Sequence, residues 1–74
     1  MKLSEFREKG GIIKKLPRND ATAARLADMG YREGMRTDFI LSGSNLGEYR
    51  IGETLLGLRM SECDKILVIK TDMS

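Results

Sequence analysis

Residues 21–34 read ATAARLADMGYREG and contain the clearest helix of the sequence. Four alanines favour a helix over Ala21–Met29, and Asn19 or Asp20 stands where a side chain caps the first turn. Gly30 follows at the position where a left-handed residue commonly ends a helix. Because the apolar side chains share one narrow face, the segment predicts a short helix that lies against a larger body.

The residues on both sides of this helix have the composition of short β-strands. Ile12–Leu16 is a β-branched run that Pro17 closes, and Gly52-Glu53 is a two-residue hairpin signal of type II′. Gly57, inside a strand, predicts a bulge or a close backbone approach. Four strands are predicted after the helix, at Met35–Leu41, Glu48–Ile51, Thr54–Leu58 and Lys65–Ile69.

Two single turns complete the predicted elements. Leu3–Lys9 is expected to form one turn packed by Phe6, and Met60–Asp64 another with Ser61 as its cap. Five short strands in an open sheet would leave exposed edges, so we expect them to close into a small barrel. The predicted fold is mainly β, one domain over residues 1–74, with the helix inserted after the first strand. The expected interior consists of Ile13, Phe39, Tyr49, Ile51, Leu56, Leu58 and Val68.

Composition restricts the function of this chain. The 74 residues are 41% hydrophobic, which is enough for one small domain. There is no histidine, the usual general base, and no nucleophile–base pair is visible, so we expect no enzyme activity. The single Cys63 excludes an internal disulfide and fits a reducing cytoplasm, and no apolar run is long enough to predict membrane insertion.

The charged residues suggest two kinds of ligand site, one for a metal ion and one for nucleic acid. Glu62 and Asp64, on one face of an extended stretch, could bind Fe²⁺ or another divalent metal ion weakly; otherwise no cofactor is expected. A small nucleic-acid-binding barrel is the weaker alternative, because the chain has few aromatic side chains interleaved with its lysine and arginine residues. Nucleic acid is therefore not an expected partner. The basic residues considered for nucleic-acid binding are Lys14, Lys15, Arg18, Arg25, Arg32 and Arg36.

The segment RLADMGYREG at positions 25–34 resembles the signature of the FeoA family, the ferrous iron transport protein A family. Leu3 and Gly10–Leu16 are similar to the first strand of that family, Leu46-Gly47 to its hairpin, and Leu58–Glu62 to the turn before its last strand. The order and spacing of these motifs cover nearly the whole chain. Tyr31, where the family usually has Leu or Ile, and the lack of a proline before Leu46 are departures from the pattern.

The resemblance implies an SH3-like barrel that acts as an accessory, regulatory module of ferrous iron transport in the cytoplasm. The implied partner is a FeoB-type membrane permease with a cytosolic GTPase domain, and the family is described as related to transition metal ions. The same barrel occurs in DtxR-like metal-dependent repressors, which makes direct metal binding by a regulatory domain the alternative function.

Partner binding is expected at the helix, at its exit and at the tip of the Leu46-Gly47 hairpin. Tyr31 and Arg32 are expected to be exposed, whereas core packing is the alternative role for Leu26 and Met29. A weak homodimer through exposed apolar residues such as Ile40 or Leu55 is a further expectation. The predicted partner-binding residues are Arg25, Leu26, Met29, Tyr31, Arg32, Leu46 and Gly47.

Overall fold

A computed structural model describes residues 1–71, so predictions for residues 72–74 lie outside the described part of the chain. A 3₁₀ turn forms at Leu3–Glu5, one helix (α1) at Ala21–Asp28 and a second, single-turn helix (α2) at Met60–Cys63. One antiparallel sheet has the strand order β4-β3-β2-β1-β5. Its strands are β1 (Gly11–Lys15), β2 (Arg36–Ser42), β3 (Leu46–Ile51), β4 (Thr54–Arg59) and β5 (Leu67–Lys70). This confirms the predicted mainly β fold with a helix after the first strand.

Helix α1 begins where its sequence predicts and ends at Asp28, one residue before the predicted Met29. Asp20 is the capping residue, since its carboxylate accepts the Ala23 N–H at 2.8 Å, while Asn19 has a left-handed φ of 60°. Gly30 ends the segment with a φ of 92°, a conformation that costs glycine little because it has no Cβ.

The β3–β4 hairpin is also as predicted, except at Gly57. Ile51 lies opposite Thr54, and Gly52 has a φ of 61°, as a type II′ turn requires at its first central position. The bulge predicted at Gly57 is wrong, because the β3–β4 register is regular through that residue. A close backbone approach is wrong too, since a Cβ on Gly57 would meet nothing within 4 Å.

The predicted closure of the barrel is wrong, because β4 and β5 end an open sheet. The outer edge of β5 pairs instead with the first residues of the chain: Val68 N–H donates to the Met1 carbonyl at 2.7 Å, and Leu3 N–H to the Ile66 carbonyl at 2.8 Å. Between this edge and β4, the chain forms α2 and the 3₁₀ turn, which contact each other. No strand of the described residues pairs with the outer edge of β4, where a closed barrel would have backbone hydrogen bonds.

The bounds of two further elements differ from prediction for local reasons. Leu46 and Gly47 begin β3, so the hairpin tip consists of residues 43–45. Helix α2 is capped from within: the Glu62 carboxylate accepts the Arg59 N–H at 3.0 Å, and Ser61 has no capping role.

The core lies between the inner face of the sheet and the helices. Of the predicted interior, Phe39 and Leu56 are only partly buried, and the other five residues are buried. The remainder comes from the 3₁₀ turn, α1, α2 and the residues that follow each of these elements. The buried apolar residues are Leu3, Phe6, Ile13, Leu26, Tyr31, Tyr49, Ile51, Leu58, Cys63, Ile66 and Val68.

Candidate protein-binding surface

An ion pair joins α1 to α2. The Arg25 Nε atom lies 2.6 Å from Glu62 Oε2, and the other carboxylate oxygen of Glu62 accepts the Arg59 N–H. The Glu62 side chain is only 6% exposed, whereas the Arg25 side chain is 47% exposed. The guanidinium therefore neutralises a nearly buried carboxylate and still presents part of its surface to solvent.

A second link connects the start of α1 to the residues after α2. Lys65 Nζ lies 3.3 Å from Asp20 Oδ2 and also 3.3 Å from Thr22 Oγ1. The backbone N–H of Ala23 lowers the pKa of Asp20 below its usual value, and the hydrogen bond from Lys65 acts in the same direction. The helix is consequently held to the α2 segment by one ion pair near each of its ends.

The β2–β3 hairpin tip is attached to α2 as well. Met60 N–H donates to the Asn45 carbonyl at 2.9 Å, and Leu46 lies directly opposite Arg59 in the sheet. The Leu46 side chain is 54% exposed. We call the set Arg25, Asn45, Leu46 and Arg59 the α2 surface: Arg25, Asn45 and Arg59 are hydrogen-bonded to α2, and Leu46 lies opposite Arg59 in the sheet.

Arg59 is a member of this surface that the sequence reasoning did not single out. A signal for it was present, because the two-residue Gly52-Glu53 turn sets the register of the whole hairpin. Counting back from Ile51 and Thr54 places Leu46 opposite Arg59, as the structure shows.

Tyr31 was expected to be exposed, and this expectation is wrong: its side chain is 2% exposed. Tyr31 N–H donates to the Leu26 carbonyl at 3.0 Å, which turns the chain inward directly after Gly30. Burial raises the pKa of the Tyr31 hydroxyl, and neighbouring Cys63 and Tyr49 act in the same direction. Tyr31 is therefore a core residue and cannot contact a partner from this position.

Three other predicted partner-binding residues have packing roles. Leu26 is fully buried, which supports the core role weighed for it, and Met29 is half-buried against the core. Gly47 is buried beneath the Tyr49 ring, since a Cβ on it would lie 2.7 Å from a ring carbon. Its lack of a side chain thus serves the packing of β3.

Arg32 is exposed as expected but belongs to another part of the molecule. It lies in the turn after α1, and this turn is attached to β1 through the hydrogen bond from Gly34 N–H to the Ile13 carbonyl at 2.7 Å. Arg25 is bonded to α2, whereas Arg32 lies in a turn that is bonded to β1. Three bases of the set weighed for nucleic acid form ion pairs within the chain, Arg18 with Glu33, Arg25 with Glu62 and Arg36 with Asp38.

The predicted metal ligands do not converge. Glu62 and Asp64 lie in and directly after a helical turn, not in an extended stretch, and each has a partner: Arg25 for Glu62, and the Ser4 hydroxyl at 2.5 Å for Asp64. Within residues 1–71 no group of three or more potential Cys, Asp or Glu ligands comes together. The Cys63 thiol between them is buried, and burial raises its pKa, so it is a neutral thiol.

No helix among the described residues is both long and apolar enough to cross a membrane.

The order of the five antiparallel strands, with one helix after the first, places this chain among the SH3-like domains. No family model and no curated protein matches the sequence. Among solved structures, FeoA from Stenotrophomonas maltophilia, complexed with zinc, is 28% identical with a TM-score of 0.72, covering 93% of this chain and 89% of that chain. It is described as a prokaryotic SH3 domain protein and a candidate activating factor of bacterial ferrous iron transport.

Two further solved structures have the same fold. A FeoA-like protein from Clostridium acetobutylicum has a TM-score of 0.85 at 21% identity and covers 100% of this chain and 90% of that chain. A manganese-dependent transcriptional repressor has a TM-score of 0.86 at 13% identity; the match covers 96% of this chain but 41% of the repressor. The neighbours confirm that the chain resembles FeoA proteins, and they show the same SH3-like fold within a metal-dependent repressor.

Proposed function

We propose that this chain is an accessory, regulatory module of ferrous iron transport, without catalytic activity of its own. It would act in the cytoplasm by docking on the cytosolic part of a FeoB-type permease. The observation that carries the proposal is the likeness to Stenotrophomonas maltophilia FeoA over 93% of the chain, because that protein is described as a candidate activating factor of this transport.

The α2 surface is the docking face that the geometry favours. Leu46 supplies an exposed apolar side chain, and Arg59, which is exposed and directly opposite it in the sheet, supplies positive charge beside it; Arg25 is connected to Arg59 through Glu62. An apolar anchor beside basic groups suits a partner with an apolar pocket and an acidic rim, since the anchor supplies affinity and the charges steer the approach. Docking here would leave the core untouched, because α1 is already held to α2 by Glu62 and the β2–β3 hairpin by the Asn45 carbonyl.

Binding to the isolated cytosolic domain of the permease tests this proposal. We expect saturable binding that Leu46→Glu weakens by about tenfold or more, because the apolar anchor is lost and a like charge meets the acidic rim. Leu67→Glu is the matched control: Leu67 is also exposed and apolar, but it lies on β5, at the opposite end of the strand order from the β3–β4 hairpin that carries Leu46. Absence of binding at high micromolar concentration would overturn the proposed function. Equal loss for both variants would overturn the choice of face.

Direct binding of a transition metal ion stays a second prediction. The zinc in the Stenotrophomonas maltophilia protein favours it, but the ligands predicted in this chain do not fit a metal as they stand, because Glu62 is bound to Arg25 and Asp64 to Ser4. Calorimetric titration with Fe²⁺, Mn²⁺ and Zn²⁺ separates the two functions. Heat that disappears in the Asp64→Asn variant would support a metal-responsive domain, and no heat at millimolar ion would remove it.

A further inference from the structure

The outer edge of β4 is open in the described structure. The two-residue hairpin makes Ile51 and Thr54 a hydrogen-bonded pair, so the alternate residues Thr54, Leu56 and Leu58 use their backbone groups toward β3. Leu55 and Gly57 therefore direct their N–H and C=O groups away from the sheet. No hydrogen bond from any residue in 1–71 reaches these groups across the free edge.

The open part of this edge has a definite length. At its far end, the N–H of Arg59 is already donated to the Glu62 carboxylate at 3.0 Å. At its near end, the chain enters the Gly52-Glu53 turn. A partner strand consequently finds two N–H donors and two C=O acceptors, one of each on Leu55 and on Gly57.

We propose that β4 pairs antiparallel with β4 of a second copy of this chain, centred on Leu56. In this register Leu55 lies opposite Gly57 of the second copy, and two-fold symmetry repeats the pair. All of the open donors and acceptors are then hydrogen-bonded on both copies, and the pairing needs no hydrogen bond from the Arg59 N–H. A shift by two residues would need either the occupied Arg59 N–H or the residues of the turn, and a shift by one would place the core-facing side chains on opposite faces.

The side chains of β4 are complementary to themselves in the same register. Leu55, which is 54% exposed, would lie beside Gly57 of the second copy, where a Cβ meets nothing within 4 Å and there is room for a large neighbour. Leu56, half-buried on the inner face, would meet its own counterpart at the symmetry axis. Glu53 and Arg59 come opposite each other at both ends, so the charges attract. This charge pattern selects a second copy over an unrelated extended peptide.

The remaining edge of the sheet cannot compete for this role, because Met1–Leu3 already pairs with β5. Leu41 is exposed as well, but it lies on β2, which is an inner strand of the sheet. The proposed interface is short, so a weak dimer is expected, with association visible between about 10 µM and about 1 mM. The inference does not depend on the proposed role in iron transport.

Sedimentation velocity over that concentration range tests the dimer. We expect Leu55→Lys and Gly57→Pro to abolish the concentration-dependent association, because lysine blocks edge pairing and proline removes an N–H that the monomer does not use. Leu41→Lys is the matched control, with a side chain that is 52% exposed against 54% for Leu55. A wild-type protein that stays monomeric at 1 mM, or a control that loses association as fully as Leu55→Lys, would overturn the proposal.

A second pair of measurements addresses the register. Glu53→Lys and Arg59→Glu should each weaken association at least fivefold, and the double variant should restore it, with far-UV circular dichroism confirming that each variant is folded. In a mixed sample of labelled and unlabelled wild-type protein, a nuclear Overhauser effect between the Leu56 α-protons of the two copies is expected, since a non-hydrogen-bonded antiparallel pair brings them close. An inter-copy effect at other residues of the sheet, without this one, would overturn the Leu56-centred pairing.

Discussion

Two tyrosine hydroxyls lie in the same small core but differ in their hydrogen bonds. Tyr49 donates to the Leu3 carbonyl at 3.2 Å and so connects β3 to the 3₁₀ turn. The Tyr31 hydroxyl is buried and has no partner within the described residues. A buried polar atom without a partner has lost its hydration and gained no bond in return, so the same functional group contributes with opposite sign at the two positions.

Replacement of each tyrosine by phenylalanine separates these contributions. Tyr31→Phe should leave the free energy of unfolding unchanged or raise it by about 1 kcal/mol, because it removes only the unpartnered hydroxyl. Tyr49→Phe should lower it by about 1 kcal/mol, because a hydrogen bond is lost. Urea denaturation of the two variants measures both values. A larger loss for Tyr31→Phe than for Tyr49→Phe would show that Tyr31 has a partner in solution.

Two glycines on neighbouring strands provide a second matched pair. A Cβ on Gly47 would lie 2.7 Å from the Tyr49 ring, whereas a Cβ on Gly57 would meet nothing within 4 Å. Gly47→Ala should therefore destabilise the protein by about 1–3 kcal/mol through overpacking. Gly57→Ala should be neutral or slightly stabilising in the dilute monomer, since alanine narrows the unfolded ensemble. Thermal unfolding of both variants at one concentration is the measurement, and equal melting temperatures would contradict the packing role of Gly47.

At the scale of elements, the short helices are stable because they are attached to each other. Helix α2 has a single turn, and isolated helices of such length are not stable in water. The Glu62 carboxylate stabilises the turn because it accepts hydrogen bonds from the Arg59 N–H and from the Arg25 guanidinium. The first bond caps the start of α2, and the second connects α2 to α1. The same carboxylate also fixes the geometry of the α2 surface, on which the proposed docking depends.

Removal of the arginine tests this tether. Arg25→Ala should lower the free energy of unfolding by about 2 kcal/mol, because it leaves the buried Glu62 carboxylate without its counter-charge. Arg32→Ala is the control: Arg32 is exposed and has no ion pair among the described residues, so a change within about 0.5 kcal/mol is expected. Chemical denaturation at neutral pH gives both values. Equal effects would mean that the pair contributes no more than a surface charge.

At the scale of the whole molecule, the two edges of the sheet differ in whether other backbone covers them. The edge of β5 is covered by the first residues of the chain, with Val68 N–H bonded to the Met1 carbonyl at 2.7 Å. The edge of β4 has no such cover within residues 1–71. An open edge is a general site for strand pairing, which is why the proposed dimer forms there and not at β5.

Hydrogen exchange reports the state of both edges directly. In a dilute sample, the amide protons of Leu55 and Gly57 should exchange quickly, whereas those of Leu3 and Val68 should be protected by their bonds to Ile66 and Met1. A rise in protein concentration should slow exchange at Leu55 and Gly57 alone. Strong protection of these two amides in the dilute monomer would contradict the open edge.

Local chemistry made several features predictable from the sequence. The Asp20 cap, the left-handed Gly30 and the Gly52-Glu53 turn each depend on residues within a few positions of one another. The Gly57 prediction failed for a complementary reason: a glycine inside a strand signals a bulge or a close approach only on average, and what surrounds it is decided by distant residues. The candidate site divides in the same way, since the register that places Leu46 opposite Arg59 was predictable but the burial of Tyr31 was not.

The sequence by itself determined the order of the elements, the ends of α1 and the alternation that separates inner from outer side chains, because these follow from short-range sterics and hydrogen bonds. Only the tertiary structure decided that the sheet stays open, that Glu62 pairs with Arg25, and that Leu46 is left on the surface while Tyr31 is buried. Each of these features depends on which segments, distant from one another in the sequence, pack together in the folded chain. The favoured packing is the one that buries the most apolar area and leaves the fewest buried polar groups without hydrogen bonds across the whole molecule. A local sequence pattern does not contain this information.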